Sequence, residues 1–195
     1  MKAQSRKKPG LSLAGAASLV YEAGMLARLD RSGWNTIGIS DPQNVSEHSF
    51  RVAVCGLMIS RLEGLSNEQE RLVLIGCLLH DLSEARIGDF NKINKQYARA
   101  DHEKAFRHAL APAGLGLLSD FEGLFRDRKV ADVINDADMA EMAACALEYS
   151  RLGNPHALKW VGSAKKRIKT RSGEKLVRAL EKTEPFSWAF KEPKK

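Results

Sequence analysis

The chain has 195 residues, of which 44% are hydrophobic and 28% charged, an ordinary composition for one soluble globular domain with a real core. No apolar run approaches the roughly 20 residues that a membrane-spanning helix needs, which argues against a transmembrane protein. Its three cysteines are far apart and outside any C-x-x-C motif, so they form neither a disulfide framework nor a zinc knuckle. This pattern predicts a reducing, cytoplasmic setting.

The formal net charge of +7 is concentrated at the two ends of the chain. We predict basic tails at residues 1–10 and 191–195 on either side of a single domain, 11–190. A third basic segment, 164–178, carries seven cations and one anion. We interpret it as solvated surface, because it lacks the interleaved aromatic residues that stack on single-stranded nucleic acid. Nucleic-acid and membrane partners are therefore not expected.

The first predicted helix begins in a segment that looks like a signal peptide. The stretch "MKAQSRKKPGLSLAGAASLV" has a basic start and a weakly apolar run, so secretion is an alternative. However, the pattern continues as "YEAGMLARLD" without a convincing cleavage site. We predict one amphipathic helix over about 11–29, followed by a loop over 30–43 that contains a tryptophan.

The second predicted helix, about 46–63, carries a histidine on its apolar side. On a helical wheel, the side chains within about 40° of His48 are those of Val52, Cys55, Ile59 and Leu62. The histidine is either a core residue bonded to a backbone carbonyl or part of a functional site. The rest of the chain must decide between the two.

The third predicted helix, about 67–84, begins at a capping-box pattern and ends in a cluster of charged residues. It is apolar all round from Leu72 to Leu79, which predicts the buried central helix of the fold. His80 and Asp81 follow directly, and Glu84 lies on the same face as His80. Because burying an unpaired carboxylate is very costly, this cluster calls for a cation, unless the helix simply ends in solvent.

Further helices are predicted at 97–112, 128–151, 155–169 and 173–183, the third of them capped by Asn154, and strand signals are nearly absent. The helix at 128–151 offers three aspartates. Asp138 lies in an apolar face, whereas Asp132 and Asp136 point nearly the opposite way as an acidic stripe. By the desolvation argument, Asp138 is the one that needs a cation.

These motifs together resemble a known family. A histidine, a His-Asp pair and a distant aspartate on three helices are similar to the metal-dependent phosphohydrolases of the HD-domain superfamily. The stretches "NVSEHSFRVA", "HDLSEARIGD" and "DMAEM", preceded by an R-x-G-W motif, most resemble the HD-domain 5′-deoxynucleotidases and their oxetanocin-type relatives. The resemblance covers about 20–150 and implies an all-α fold, a single compact HD-domain helical bundle.

The resemblance also implies roles for the matching residues. It makes four side chains the ligands of one divalent metal ion: His48, His80, Asp81 and Asp138. It makes Glu84 the catalytic acid and Asp89 the acid that helps to hold substrate and order the site. It places Arg31 and Trp34 against the phosphate and the sugar-base portion of a nucleotide, with Lys95 also near phosphate. Mixed nitrogen and oxygen ligands suit Mn, Co, Fe, Ni or Zn.

The function implied is phosphate release from (deoxy)nucleoside 5′-monophosphates by a metal-dependent phosphoric monoester hydrolase. One alternative is hydrolysis of nucleoside triphosphates or other nucleotides by the same superfamily. Another is a non-catalytic nucleotide-binding protein, but such a protein would be expected to have lost a ligand, and all four are present.

The C-terminal stretch "EPFSWAF" (184–190) places three aromatic residues near the end of the chain. Each can bury on the order of 150–250 Å², so we expect them to fold back on their own domain or to reach a second subunit. Related HD nucleotidases commonly form homodimers, and a two-fold pair is the commonest closed assembly. We therefore expect a homodimer.

Overall fold

The computed structural model describes residues 12–114, 124 and 126–190, so both predicted basic tails lie outside the described residues. The α-helices within these ranges are α1 (Leu13–Ala23), α2 (Ser32–Asn35), α3 (Val45–Glu63), α4 (Asn67–Leu79), α5 (Glu84–Ile87), α6 (Asn94–Tyr97), α7 (His102–Leu110), α8 (Arg128–Arg151), α9 (Leu158–Lys165) and α10 (Arg171–Lys182). Short 3₁₀ helices occupy Gly24–Arg28, Ala111–Ala113, Pro155–Ala157 and Ser187–Phe190. The described chain contains no strand beyond an isolated bridge between Asp30 and Asn44, which confirms the all-α prediction. None of its helices is long and apolar enough to cross a membrane.

Several helices are shorter than their sequence patterns predicted. The helix expected over 11–29 is α-helical only to Ala23 and then tightens into a 3₁₀ helix from Gly24, a residue of low helix propensity. Helix α7 begins at His102, because the Asp101 side chain accepts a hydrogen bond from the Lys104 backbone N–H and caps it there.

Asn154 and Pro155 start the segment at 155–169 as predicted, but the expected side-chain capping bond is absent. The Asn154 side chain makes no capping bond and instead donates from Nδ2 to the Ile37 carbonyl at 2.8 Å. The segment therefore starts as a 3₁₀ turn, and the regular helix α9 begins only at Leu158. This bond ties the start of α9 to the loop that follows α2.

The prediction that the third helix is the buried central helix was also wrong. Helix α8 takes that place, since it contacts α3, α4, α9 and α10, whereas Leu78 of α4 is 49% exposed. Alanines at positions 137, 140 and 143 of α8 are fully buried and allow close helix approach. The uniformly apolar sequence of α4 predicted a buried helix, but the small residues of α8 allow α8 to occupy the centre of the fold.

The described core contains three apolar clusters, two of which include residues of this central helix. The largest joins α3, α4, α8 and α10, and the second joins the 3₁₀ segment after α1 to α3 and α7. The third surrounds Trp34, whose ring packs against Tyr149 and Trp160 with centroids 5.1 and 5.2 Å away. These clusters fix the start of α3, the end of α4 and the middle of α8 beside one another.

The predicted acidic stripe on α8 was wrong for Asp136, which is fully buried. Its carboxylate accepts hydrogen bonds from the backbone N–H groups of Lys169 and Thr170, at 2.8 and 2.7 Å. Asp136 therefore fixes the turn before α10. Its helical-wheel position alone did not show this, because the partners come from another segment.

Candidate metal centre and active site

His48 lies in the first turn of α3, and its ring is completely buried. A capping box between Asn44 and Glu47 starts the helix at this point and so fixes the position of the histidine. Its Nδ1 atom lies 2.5 Å from Oε2 of the buried Glu141. A carboxylate on Nδ1 leaves the Nε2 lone pair free to face the opposite side.

His80 and Asp81 follow the last residue of α4, which ends at Leu79 and not near 84 as the sequence predicted. Nδ1 of His80 lies 2.8 Å from the Cys77 carbonyl and donates to it, which turns Nε2 towards His48 and Asp81. Burial alone would lower the pKa of His80, but the Asp81 carboxylate raises it to about 9. Burial would raise the pKa of Asp81, yet His80 and Arg31 hold it below its ordinary value. Asp81 is thus ionised at neutral pH.

The structure brings the two histidines, Asp81 and Asp138 together. Nε2 of His48 lies 3.3 Å from Nε2 of His80, 3.6 Å from Asp81 Oδ2 and 3.3 Å from Asp138 Oδ1. Nε2 of His80 lies 3.2 Å from Asp81 Oδ2. His48, His80 and Asp81 thus offer two imidazole nitrogens and a carboxylate oxygen that all lie within 4.8 Å of one another, and Asp138 adjoins this group through His48. Nitrogen and oxygen donors of this kind suit a divalent transition metal.

Glu141 is a member of this site that the sequence reasoning missed. Besides His48, its carboxylate accepts a hydrogen bond from Gln43 Nε2 at 2.7 Å, and it lies 3.5 Å from Arg51 Nε. These partners hold its pKa below the ordinary value despite burial. The available signal was a carboxylate one helical turn after Asp138, at the edge of the same face. Ligand histidines usually have such a partner on the ring nitrogen that does not bind the metal.

Glu84 stands at the start of α5 and is 5% exposed. Its Oε2 atom is buried and has no hydrogen-bond partner among the described residues. Burial, together with the charges of Asp81 and Asp89, raises its pKa to about 8. Glu84 is therefore largely protonated at neutral pH and can donate a proton to a bound molecule.

Asp89 binds the backbone of the segment that carries Arg31. Its Oδ2 accepts a hydrogen bond from the Ser32 N–H at 2.5 Å, and its carbonyl accepts one from the Ser32 hydroxyl at 2.9 Å. Nη1 of Arg31 lies 3.0 Å from Asp81 Oδ2. The guanidinium is therefore held beside the proposed metal ligands.

A cavity of about 720 Å³ adjoins this cluster and is lined by Arg31, Asp81, Glu84, Asp89 and Asp138. Trp34 and Lys95 lie in the wall of this cavity. The Trp34 ring is only 4% exposed, so little more than an edge faces the cavity. Lys95 is exposed on α6. The cavity also has lining residues that the sequence reasoning left out: Lys92, Lys159, Trp160, Ser163 and Arg167. The sequence motifs did not include them, because four of these residues lie beyond the part of the chain that resembles the family and Lys92 lies in the loop after Asp89.

Comparison with known proteins shows the family of this chain. The family model described as "HD domain" matches residues 23–181. A curated relative, 5′-deoxynucleotidase HDDC2 of Dictyostelium discoideum, is 28% identical over 147 residues, covering 69% of this chain and 76% of the relative.

Solved structures share the fold. A conserved hypothetical protein from Pyrococcus furiosus superposes with a TM-score of 0.70 at 24% identity, covering 86% of this chain and 99% of that one. An HD phosphohydrolase of cyanophage S-2L, solved with dA and one catalytic zinc ion, superposes with a TM-score of 0.57 at 18% identity, covering 84% of this chain and 96% of that one. At these identities the likeness shows the fold alone.

Proposed function

Since this chain belongs to the HD-domain family, we propose that it is a metal-dependent phosphohydrolase that releases phosphate from nucleoside 5′-monophosphates, preferentially deoxynucleotides. The observation that carries this proposal is the cluster of His48, His80 and Asp81, with Asp138 next to His48, in a site that also holds Glu84 and the Arg31 guanidinium. Curated relatives named 5′-deoxynucleotidase support the choice of substrate.

We propose that these four residues hold one divalent cation. The donor set fits, because both Nε2 atoms are turned inward by their Nδ1 partners and the two carboxylates are ionised. Such an ion would polarise a phosphoryl oxygen and acidify a water molecule. Mn, Co, Fe, Ni and Zn all suit this ligand set, and elemental analysis of the purified protein would identify the metal.

The protein side chains account for the remaining requirements of the reaction. Hydrolysis breaks the bond between phosphorus and O5′ and forms a new bond from phosphorus to a water oxygen. Arg31 offsets the phosphoryl charge, and Lys95 adds a second cation at the cavity wall. Glu84 gives its proton to the departing O5′, solvent takes the proton that the attacking water loses, and solvent reprotonates Glu84 after the product leaves. Asp89 keeps Arg31 in place by binding the backbone of Ser32.

A substrate panel tests the function. Ribo- and deoxynucleoside mono-, di- and triphosphates are incubated with the protein and each candidate metal, and released phosphate is measured. We expect release from 5′-monophosphates, with Asp81→Ala removing both activity and bound metal. Glu84→Gln should lose rate but retain the metal. Exclusive cleavage of triphosphates would contradict the proposal.

We further propose that the protein is a cytoplasmic homodimer. Free thiols at Cys55, Cys77 and Cys145 fit a reducing compartment. The dimer is supported by an exposed apolar stripe on α3, formed by Phe50, Val54, Met58 and Leu62, which are 44 to 66% exposed.

The C-terminal aromatic residues do not seal the core of their own domain. Trp188 is 75% and Phe190 86% exposed, while Phe186, at 38%, lines a second cavity together with Phe50. This leaves the subunit interface as their proposed place. Light scattering should give twice the chain mass at micromolar concentration, and Met58→Glu should lower that mass. A monomer mass for the unmodified protein would contradict the dimer.

A further inference from the structure

The helix α9 and the turn after it form one wall of the active-site cavity. At one end, Trp160 lies beside Gly33, whose ideal Cβ position is 3.9 Å from the indole nitrogen. At the other end, the Arg167 carbonyl accepts a hydrogen bond from Asn135 Nδ2 at 2.9 Å. Asn135 is three residues before Asp138 on α8. The wall is therefore anchored to the Arg31 segment and to the helix that carries Asp138.

Three polar side chains of this wall are spaced to face the cavity together. Lys159, Ser163 and Arg167 follow one another at intervals of four residues, and all three line the cavity. Lys159 and Ser163 lie about one turn apart on α9, and Arg167 lies in the turn that follows the helix. All three side chains are exposed, so each can reach a bound molecule.

The charges of the cavity exceed what one phosphate requires. Arg31 is paired with Asp81, but no ion pair involves the other lining cations within the described chain, namely Lys92, Lys95, Lys159 and Arg167. Five cations line the cavity against four acidic residues, Asp81, Glu84, Asp89 and Asp138, and a divalent ion would offset two of those negative charges. The cavity with its metal thus carries surplus positive charge at its outer wall.

A nucleotide with its 5′-phosphate at the metal centre extends its sugar away from that centre, towards the mouth of the cavity. The position from which a second anion can reach the outer wall is then the 3′ oxygen. We propose that Lys159, Ser163 and Arg167 form a second phosphate subsite, which binds a phosphate on the 3′ oxygen of a 5′-phosphorylated nucleoside. This inference rests on the proposed function.

Two kinds of molecule carry this chemistry: a free nucleoside 3′,5′-bisphosphate and the 5′-phosphorylated end of a short oligonucleotide. The test compares kcat/KM, at low ionic strength, for a deoxynucleoside 5′-monophosphate, its 5′-diphosphate, its 3′,5′-bisphosphate and the matching 5′-phosphorylated dinucleotide. One charge-assisted phosphate contact corresponds to about a tenfold advantage of the bisphosphate over the monophosphate. Added salt should shrink this advantage.

Substitutions in the α9 wall test whether its residues cause the higher kcat/KM of the bisphosphate. Lys159→Ala combined with Arg167→Ala should bring the ratio of bisphosphate to monophosphate kcat/KM down to about one. Lys166→Ala is the matched control, because Lys166 is an exposed cation on the same segment that does not line the cavity. It should leave the ratio unchanged. Melting temperatures of all variants should match the parent, since the altered side chains are exposed.

Each result has a separate meaning. Absence of release from every 5′-monophosphate would defeat the proposed function itself. Release from the monophosphate without any bisphosphate advantage, or an advantage that survives the double substitution, would overturn the subsite alone. An equal advantage for a 5′-diphosphate would also overturn it, because the second phosphate would then act from the 5′ chain. A gain for the dinucleotide as well as the bisphosphate supports the subsite and indicates an oligonucleotide end, and a gain for the bisphosphate alone indicates the free nucleotide.

Discussion

His48 depends on Glu141 for its orientation. The short contact between Nδ1 and the buried carboxylate fixes the ring, and Gln43 and Arg51 in turn fix the carboxylate. A ligand that is oriented before the ion arrives loses less conformational freedom on binding. Glu141 is thus a positioning residue for the proposed metal centre.

We predict that Glu141→Gln weakens metal binding about 10- to 100-fold, the usual effect of losing a partner of a ligand histidine. The dissociation constant would be measured by competition with a coloured chelator. Glu148→Gln is the control, because Glu148 pairs with Arg51 at 2.7 Å without contacting His48. Equal metal affinity in the two variants would show that Glu141 has no special role.

Glu84 predicts a particular pH dependence. Its acid form is the proton donor, and burial raises its pKa above the ordinary carboxyl value, so kcat should fall as the pH rises through the pKa of Glu84 in the metal-bound site. Glu84→Gln should be slow at all pH values and should lack this alkaline limb. The measurement is kcat from pH 6 to 10 at saturating metal. An alkaline limb retained in the variant would assign it to another group.

The helix α8 connects the site to the rest of the fold through two faces. Asp138 and Glu141 serve the metal centre, whereas Asp136 is oriented towards the turn before α10 and binds its backbone. Gly173 lies in the first turn of α10, and a Cβ atom there would be 2.5 Å from Asp136 Oδ2. Because that carboxylate is held by several hydrogen bonds, it has little room to move.

We predict that Gly173→Ala destabilises the protein by roughly 1–3 kcal/mol, a typical range for overpacking. Gly162→Ala is the matched control within α9, since nothing lies within 4 Å of its ideal Cβ position. That substitution should be neutral or stabilise by up to about 1 kcal/mol through helix propensity. Urea unfolding of both variants gives the free energies. A stable Gly173→Ala protein would mean that the turn adapts.

In the molecule as a whole, the proposed ligands come from three segments far apart in sequence: the start of α3, the end of α4 and the middle of α8. An ion bound to all of them would favour the folded chain, because the unfolded chain cannot hold the ligands together. The gain in folding stability on metal binding is therefore a property of the whole fold.

We predict that a divalent metal at about 100 times its dissociation constant raises the free energy of unfolding by about 2.7 kcal/mol. The melting temperature would be measured with and without metal for the unmodified protein, for Asp138→Ala and for His108→Ala. His108 is an exposed histidine of α7, so its replacement should keep the metal-dependent increase. Asp138→Ala should lose most of it, and an unchanged increase would remove Asp138 from the ligand set.

The sequence alone was sufficient for the features that depend on local periodicity and on the cost of burying charge. The helices at 45–63 and 128–151 were predicted within about a residue, because apolar spacing and caps act over a few residues. His48 and Asp138 stood out because each interrupts an apolar face. The all-α fold and the membership in the HD-domain family followed from these patterns and the motifs around them.

The three-dimensional arrangement was needed wherever a residue's role depends on a partner distant in the chain. Glu141 and Asp136 look alike as acidic residues of one helix, yet one binds His48 and the other binds the backbone before α10. Likewise, the basic segment near Arg167 read as plain solvated surface until the packing of α9 on α2 and α8 turned part of it towards the cavity. Helical periodicity shows which face of a helix is buried, but the partner of each side chain is fixed only when distant segments pack together.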